Sequence, residues 1–195
     1  EAKRARGEVS AESEALVRFG FMRLASSVAK IAAACEIVED VAEQQGCIVV
    51  FTAYLESART IASRFPGSAL LIGETPQEER QRLVDEFQAG KRPVFVTTFG
   101  AGGVGITLTR AQTVLLVDRP WTPGDCYQAE DRIHRIGQKS NVLSIWLQWD
   151  DTDKAVDALL EAKTEKIEVV MSGRPMQLSA GMTQRQFADI AARAK

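Results

Sequence analysis

The chain is predicted to fold as an α/β three-layer sandwich, a parallel sheet with helices on both faces. Three features predict it. Short continuous apolar runs such as Cys47–Phe51 (CIVVF) lack the alternation of a half-exposed strand and are too short for helices. Stretches with helical spacing separate these runs, and a strand–helix–strand alternation closes into a parallel sheet covered on both sides. The pattern switches from helix to strand period abruptly at Gly46.

The first 46 residues read as helix, with Val28, Ile31, Cys35, Val38 and Ala42 forming an apolar stripe and Gly46 placed to end it in a left-handed conformation. Cys47–Phe51 is the first strand. Tyr54–Phe65 is a helix closed by Pro66-Gly67, and Ala69–Ile72 a second strand. In Thr75-Pro76-Gln77-Glu78, Thr75 can cap, Pro76 suits the first helical position and Glu78 completes a capping box. That helix turns Leu83, Val84 and Phe87 inward. Val94–Thr97, Val114–Val117 and Val142–Leu147 are three further strands. Thr122-Pro123 opens a helix that Gly137 ends, and Asp151 or Thr152 opens a last one with Ala155, Val156, Leu159 and Leu160 on one side. Domain boundaries fall at a helical lead-in 1–46, a lobe 47–173 and an extension 174–195, where Arg174-Pro175 breaks the pattern and 184–195 is a further helix candidate.

Composition bounds the function. The 195 residues are 45% hydrophobic, which excludes a disordered chain and allows a sizeable core. No run of 18 apolar residues could span a membrane. The sequence opens EAKRARGEVS, without Met or a signal-peptide pattern, and so reads as a cytosolic or nuclear piece of something larger. Three scattered cysteines form neither a disulfide framework nor a metal knuckle and suggest a reducing compartment. A net charge of −2 gives no bulk attraction to nucleic acid, so any basic contacts must be local.

Two segments carry chemistry. Gly100-Ala101-Gly102-Gly103-Val104-Gly105 fits a dinucleotide fingerprint after a strand, with Asp118 ending the next strand. Only residues 106–112 separate Gly105 from that strand, roughly 10 Å of helix at 1.5 Å per residue, too short for the crossover such a site needs. So many glycines instead suggest close approach to a phosphate or a nucleic-acid backbone. In Gln128-Ala129-Glu130-Asp131-Arg132-Ile133-His134-Arg135, helical spacing puts Gln128, Arg132 and Arg135 within about 60° on one face. Ala129, Ile133 and Ile136 form a separate docking stripe. Two adjacent guanidiniums repel unless an anion joins them, and each offers forked bonds to phosphate oxygens. His134 and Cys126 have no partner that would make them a base or a nucleophile. Trp121, Trp146 and Trp149 read as packing residues, with Trp121 alone near a surface.

The stretch Val94–Gln138, VFVTTFGAGGVGITLTRAQTVLLVDRPWTPGDCYQAEDRIHRIGQ, resembles helicase motifs V and VI of the Swi/Snf-type ATP-dependent DNA translocases. Cys47–Thr52 resembles motif IV, and Gly73–Pro76 through Arg80 and Phe87 the block between IV and V. The likeness covers residues 27–172, and QAEDRIHRIGQ with ETPQEER is similar to the annealing-helicase branch. The resemblance implies the second RecA-like lobe of a two-lobe motor. No G-x-x-x-x-G-K-[ST] is present, since Gly90-Lys91 is followed by Arg92, and no DExH-type box follows a strand. ATP and Mg2+ are therefore expected to be held mainly by a first lobe, and this chain alone is not expected to hydrolyse ATP. It further implies Arg132 and Arg135 as arginine fingers, Gln128 and Gly105 as nucleotide-site residues, and Thr52, Gly73 and Thr98 near DNA phosphates. Gly100 stands where motif V often has a basic residue, so no charge contact to DNA is implied there. Expected partners are duplex DNA backbone and the first lobe, with no membrane, in a nuclear setting if eukaryotic and a cytoplasmic one if bacterial. An RNA helicase lobe and a non-hydrolytic interaction module are the alternatives. The ending Ile136-Gly137-Gln138 and Trp121-Thr122-Pro123 argue against the first, and Gln128, Arg132 and Arg135 against the second.

Overall fold

A computed structural model describes residues 11–102, 105–138 and 140–172. Its elements run α1 (Ala11–Gln45), β1 (Ile48–Thr52), α2 (Leu55–Arg64), β2 (Ala69–Leu71), α3 (Gln77–Gln88), β3 (Val94–Thr98), α4 (Phe99–Gly102), β4 (Thr113–Leu116), α5 (Pro123–Glu130), β5 (Leu143–Trp146) and α6 (Asp151–Ser172). The five strands form one parallel sheet in the order β2-β3-β1-β4-β5. Val50 of the central strand faces Val96 on one side and Leu115 on the other. Every predicted strand is present.

Alternate residues of each strand feed two cores. Val49 and Phe51 pack with Leu83, Val84 and Phe87 of α3, Ala101 of α4 and Ala129 of α5. Ile48 and Val50 pack on the other face with Ile31, Ala34, Cys35 and Val38 of α1 and Ala58 and Ile61 of α2. The split follows from right-handed crossovers: the β1–β2 connection runs one way along the sheet and the next three run the other way, so their helices land on opposite faces. The three-layer expectation holds.

The chain divides into two compact units, one spanning Ser27–Trp149 and the other joining the start of α1 to α6, with divisions at 26/27 and 149/150. α1 crosses the first division as one helix, but its second half belongs to the sheet's core through Ile31, Ala34, Cys35 and Val38. In the other unit Ser26 Oγ donates to Asp153 at 3.2 Å. The 174–195 extension lies outside the described residues.

Local corrections have physical causes. The buried face of α1 is Ser27, Lys30, Ile31, Ala34 and Val38, while Val28 is exposed. Pro76 precedes α3 rather than opening it, because Thr75 Oγ1 accepts from Ile72 N–H at 3.0 Å and so stabilises the preceding turn instead of a capping box. Trp149, expected to be a packing residue, is largely exposed. Thr122 does cap α5, its hydroxyl accepting from Asp125 N–H at 3.2 Å with Pro123 in the first helical turn.

Candidate functional site

In an open parallel sheet, ligands approach the carboxyl ends of the strands, above all where successive connections leave in opposite directions. Here the connection leaving β1 runs opposite to those leaving both its neighbours, β3 and β4, and a buried polar cluster lies on the β4 side. Asp118, just past β4, accepts from Thr52 Oγ1 at 2.6 Å, Ala53 N–H at 2.9 Å and Ser27 Oγ at 3.0 Å. Its other oxygen lies 3.4 Å from Lys30 Nζ, both side chains being almost wholly buried. Ser27 and Ser57 hydroxyls meet at 2.7 Å. A buried ion pair is tolerated only when the remaining polar valences are met, and among the described residues no buried side-chain polar atom lacks a partner.

The cluster corrects one expectation. Thr52 is fully buried and its hydroxyl is bonded to Asp118, so its side chain does not face a DNA strand. Sequence reading also missed Ser27 and Lys30. Their signal was position: both fall on the stripe of α1 that carries Ile31 and Ala34 inward.

Gly73 lies two residues past β2 and Thr98 ends its neighbour β3, Gly73 exposed and Thr98 half-buried. A residue from α3 joins their loops. Arg80 donates to the carbonyls of Ile72 (3.0 Å), Gly73 (3.1 Å), Thr75 (2.9 Å) and, across the gap, Ala101 (3.3 Å). The rigid guanidinium fork suits this use, since its donors diverge in one plane.

The glycine-rich segment is partly helical. Phe99–Gly102 forms α4, and a side chain at Gly102 would bring its Cβ within 2.7 Å of Phe51 and 2.8 Å of Thr97. The close approach that glycine permits at this position is therefore to the protein's own core rather than to a phosphate. Gly105 is exposed at φ +68°, a conformation that disfavours side chains. Gly103 and Val104 lie outside the described residues.

The arginine segment departs most from expectation. α5 stops at Glu130, and the chain continues in tight turns, with Ile133 and His134 N–H both donating to the Glu130 carbonyl. Gln128 is on the helix, but Arg132 and Arg135 are beyond it, so they do not share a helix face. Leu108 N–H donates to the Arg132 carbonyl at 2.8 Å, which pins the turn to the segment after Gly105 and prevents helical continuation. Ala129 and Ile133 are buried as expected, whereas Ile136 is fully exposed and docks nothing.

The turn still brings the arginines together. Arg132 donates to the carbonyls of Gln128 (3.1 Å) and Ile106 (3.3 Å). Arg135 donates to the same Ile106 carbonyl (3.5 Å) and to Thr107 Oγ1 (2.8 Å). Among the described residues, neither forms an ion pair with a carboxylate. Burial first, and then the like charge of Arg135, push the Arg132 guanidinium below its ordinary pKa, with Asp131 opposing. Arg132 nonetheless remains charged at neutral pH. The result is a pair of cations held by neutral oxygens, with donors available to an anion. The Gln128 side chain is exposed beside them.

Elsewhere the chemistry is bland. The Cys126 thiol is pushed up to about 12, by burial above all and then by Glu130 and Asp125, so it is no thiolate nucleophile at neutral pH. Among the described residues no group of three or more His, Cys, Asp or Glu is arranged to hold a metal ion. None of the described helices is long and apolar enough to cross a membrane.

Residues 29–137 match the family model of the helicase conserved C-terminal domain. The chain is 40% identical over 99 residues to the ISWI chromatin-remodeling complex ATPase ISW1 of Saccharomyces cerevisiae, covering 50% of this chain and 9% of that protein. It is 37% identical over 123 residues to the nuclear protein STH1/NPS1 of the same yeast, covering 60% and 9%. A homologue of SWI/SNF-related matrix-associated actin-dependent regulator of chromatin subfamily A-like protein 1 from Caenorhabditis elegans is 39% identical over 105 residues, covering 53% and 15%. Comparable identities across these relatives do not single out an annealing branch. The chain thus spans about a tenth of the length of these curated relatives. The crystal structure of the C-terminal part of the Fun30 ATPase domain superposes with a TM-score of 0.61 at 23% identity, covering 84% of this chain and 52% of that one, and so shares its fold. Its relatives are Swi/Snf-type ATPases, and the chain belongs to the helicase conserved C-terminal domain family.

Proposed function

We propose that this lobe supplies the arginine half of a split ATPase site in a double-stranded DNA translocase. The reading rests above all on Arg132 and Arg135, two cations held side by side on the Ile106 carbonyl and Thr107 hydroxyl, neither of them in an ion pair among the described residues. Phosphoryl transfer depends on positioning and on stabilising charge at the transferring group, and an inserted arginine contributes ~10³–10⁵ in rate. Gln128, whose carbonyl receives Arg132, and Gly105, which precedes Ile106, would order the same phosphates. The phosphate cradle and the Mg2+ ligands belong to a first lobe, which the absence of a G-x-x-x-x-G-K-[ST] segment from this sequence favours.

The DNA-facing part of the lobe is the carboxyl edge at Gly73 and Thr98, with Arg80 fixing the two loops and Thr52 acting from beneath through Asp118. Hydrolysis then requires the lobes to close, and closure shifts one DNA grip relative to the other. Similarity to ISW1, a chromatin-remodeling complex ATPase, and to the nuclear protein STH1/NPS1 favours a nuclear, chromatin-associated setting. The test is steady-state ATPase with duplex DNA. Residues 1–195 alone should show negligible turnover, and joining the lobe to its cradle-bearing partner should restore it. A DNA-stimulated rate of ~1–100 s⁻¹ from this chain alone would refute the split site.

A further inference from the structure

We propose that Thr107 is a positioning residue, its hydroxyl fixing Arg135 for catalysis; the inference rests on the arginine reading above. Arg135 is exposed and lies on a turn, so hydrogen bonds rather than burial must hold its side chain in one geometry. Its shortest contact is the 2.8 Å bond to Thr107 Oγ1, against 3.5 Å to the Ile106 carbonyl. The Thr107 hydroxyl makes no other hydrogen bond among the described residues.

Thr107 is itself firmly placed. The next residue, Leu108, is fully buried, and its N–H donates to the Arg132 carbonyl at 2.8 Å. A threonine side chain is stiff at χ1, so a fixed backbone fixes the hydroxyl. One short segment therefore sets both guanidiniums: Ile106 receives both through its carbonyl, and Thr107 orients Arg135. The chemistry of the acceptor matters. A carboxylate here would orient the arginine equally well but cancel the charge that phosphate must meet, whereas a neutral hydroxyl orients without cancelling.

The sign of the effect is testable, because a contact that holds the arginine away from phosphate would act in the opposite direction. In the intact ATPase carrying this lobe, kcat and KM for ATP are measured at saturating DNA for Thr107→Val, Thr107→Ala and Thr107→Ser, with Arg135→Ala as reference. Loss of the hydroxyl in Thr107→Val or Thr107→Ala should lower kcat about 10–100-fold with little change in KM, and Thr107→Ser should restore most of it. The thermal melt of each variant should match the wild type. Turnover of Thr107→Val and Thr107→Ala within about twofold of wild type, or above it, overturns the proposal, as does a Thr107→Ser enzyme no better than Thr107→Val. Should Arg135→Ala keep normal turnover, the arginine reading fails and takes this proposal with it. Should Arg135→Ala collapse while Thr107→Val does not, only the positioning role fails.

Discussion

Gly102→Ala should destabilise the lobe although it adds a single methyl to a short helix. The new Cβ would stand 2.7 Å from Phe51 Cε1 and 2.8 Å from Thr97 Cγ2, well inside van der Waals contact. Neither neighbour can yield cheaply. Phe51 is fully buried on the central strand and stacks on Phe99 with ring centroids 5.6 Å apart. Thr97 is fully buried, with its rotamer held by a 2.8 Å bond to the Leu71 carbonyl. Forcing a methyl into such a core costs about 1–3 kcal/mol, from which alanine's better helix preference returns at most ~1 kcal/mol. Gly100→Ala is the matched control. It lies in the same helix, with nothing within 4 Å of its added Cβ and no left-handed φ, and should be neutral or stabilising by ~0.4–1 kcal/mol. Urea denaturation of both variants reads the difference as a fall in midpoint for Gly102→Ala with unchanged slope. Equal stability of the two would refute the packing argument and reopen the reading that this glycine serves a ligand.

Three further outcomes are expected. Asp118→Ala removes the carboxylate paired with buried Lys30 and the acceptor shared by Thr52 and Ser27, so the urea midpoint should drop by an equivalent of about 3–5 kcal/mol. Thr122→Ala removes the cap of α5 and should cost about 1 kcal/mol in the same assay. Cys126 keeps its proton in the folded lobe up to about 12, whereas the unfolded chain loses it near 9.0; the stability this difference supplies is full below 9.0 and is lost as pH climbs towards 12. Wild type should therefore lose thermal stability across that range more steeply than Cys126→Ala, and its Cys126 should resist alkylation at pH 8 until urea unfolds it.

The strands were legible because a strand buried on both faces leaves an unbroken apolar run, as in Cys47–Phe51, and nothing else of that length resembles it. Gly46 and Thr122 were legible for a similar reason, each acting within one turn of itself. What escaped detection depends on distant partners. The end of α5 at Glu130 is set by a bond between Leu108 and Arg132, and periodicity alone carries the helix on to Gly137. Lys30, Ser27 and Asp118 come from separate segments and become a cluster only once α1 lies against the β1–β4 boundary. In the candidate site, residue type is legible in the sequence and geometry is not. Arg132 and Arg135 do converge, through a turn and a shared carbonyl rather than a helix face, and the hydroxyl beside them carried no signal in the sequence.

Arg135 is proposed to act on nucleotide held by another lobe and not on DNA or on the fold. Steady-state ATPase of the intact motor at saturating DNA, measured for Arg135→Ala beside nucleotide-free DNA affinity and a thermal melt, tests it most directly. kcat should fall by ~10³ or more while affinity and melting temperature hold, and Arg135→Lys should rescue little because an ammonium lacks the planar fork. Near-normal turnover, or a lobe that unfolds, would make Arg135 a structural residue and contradict the account.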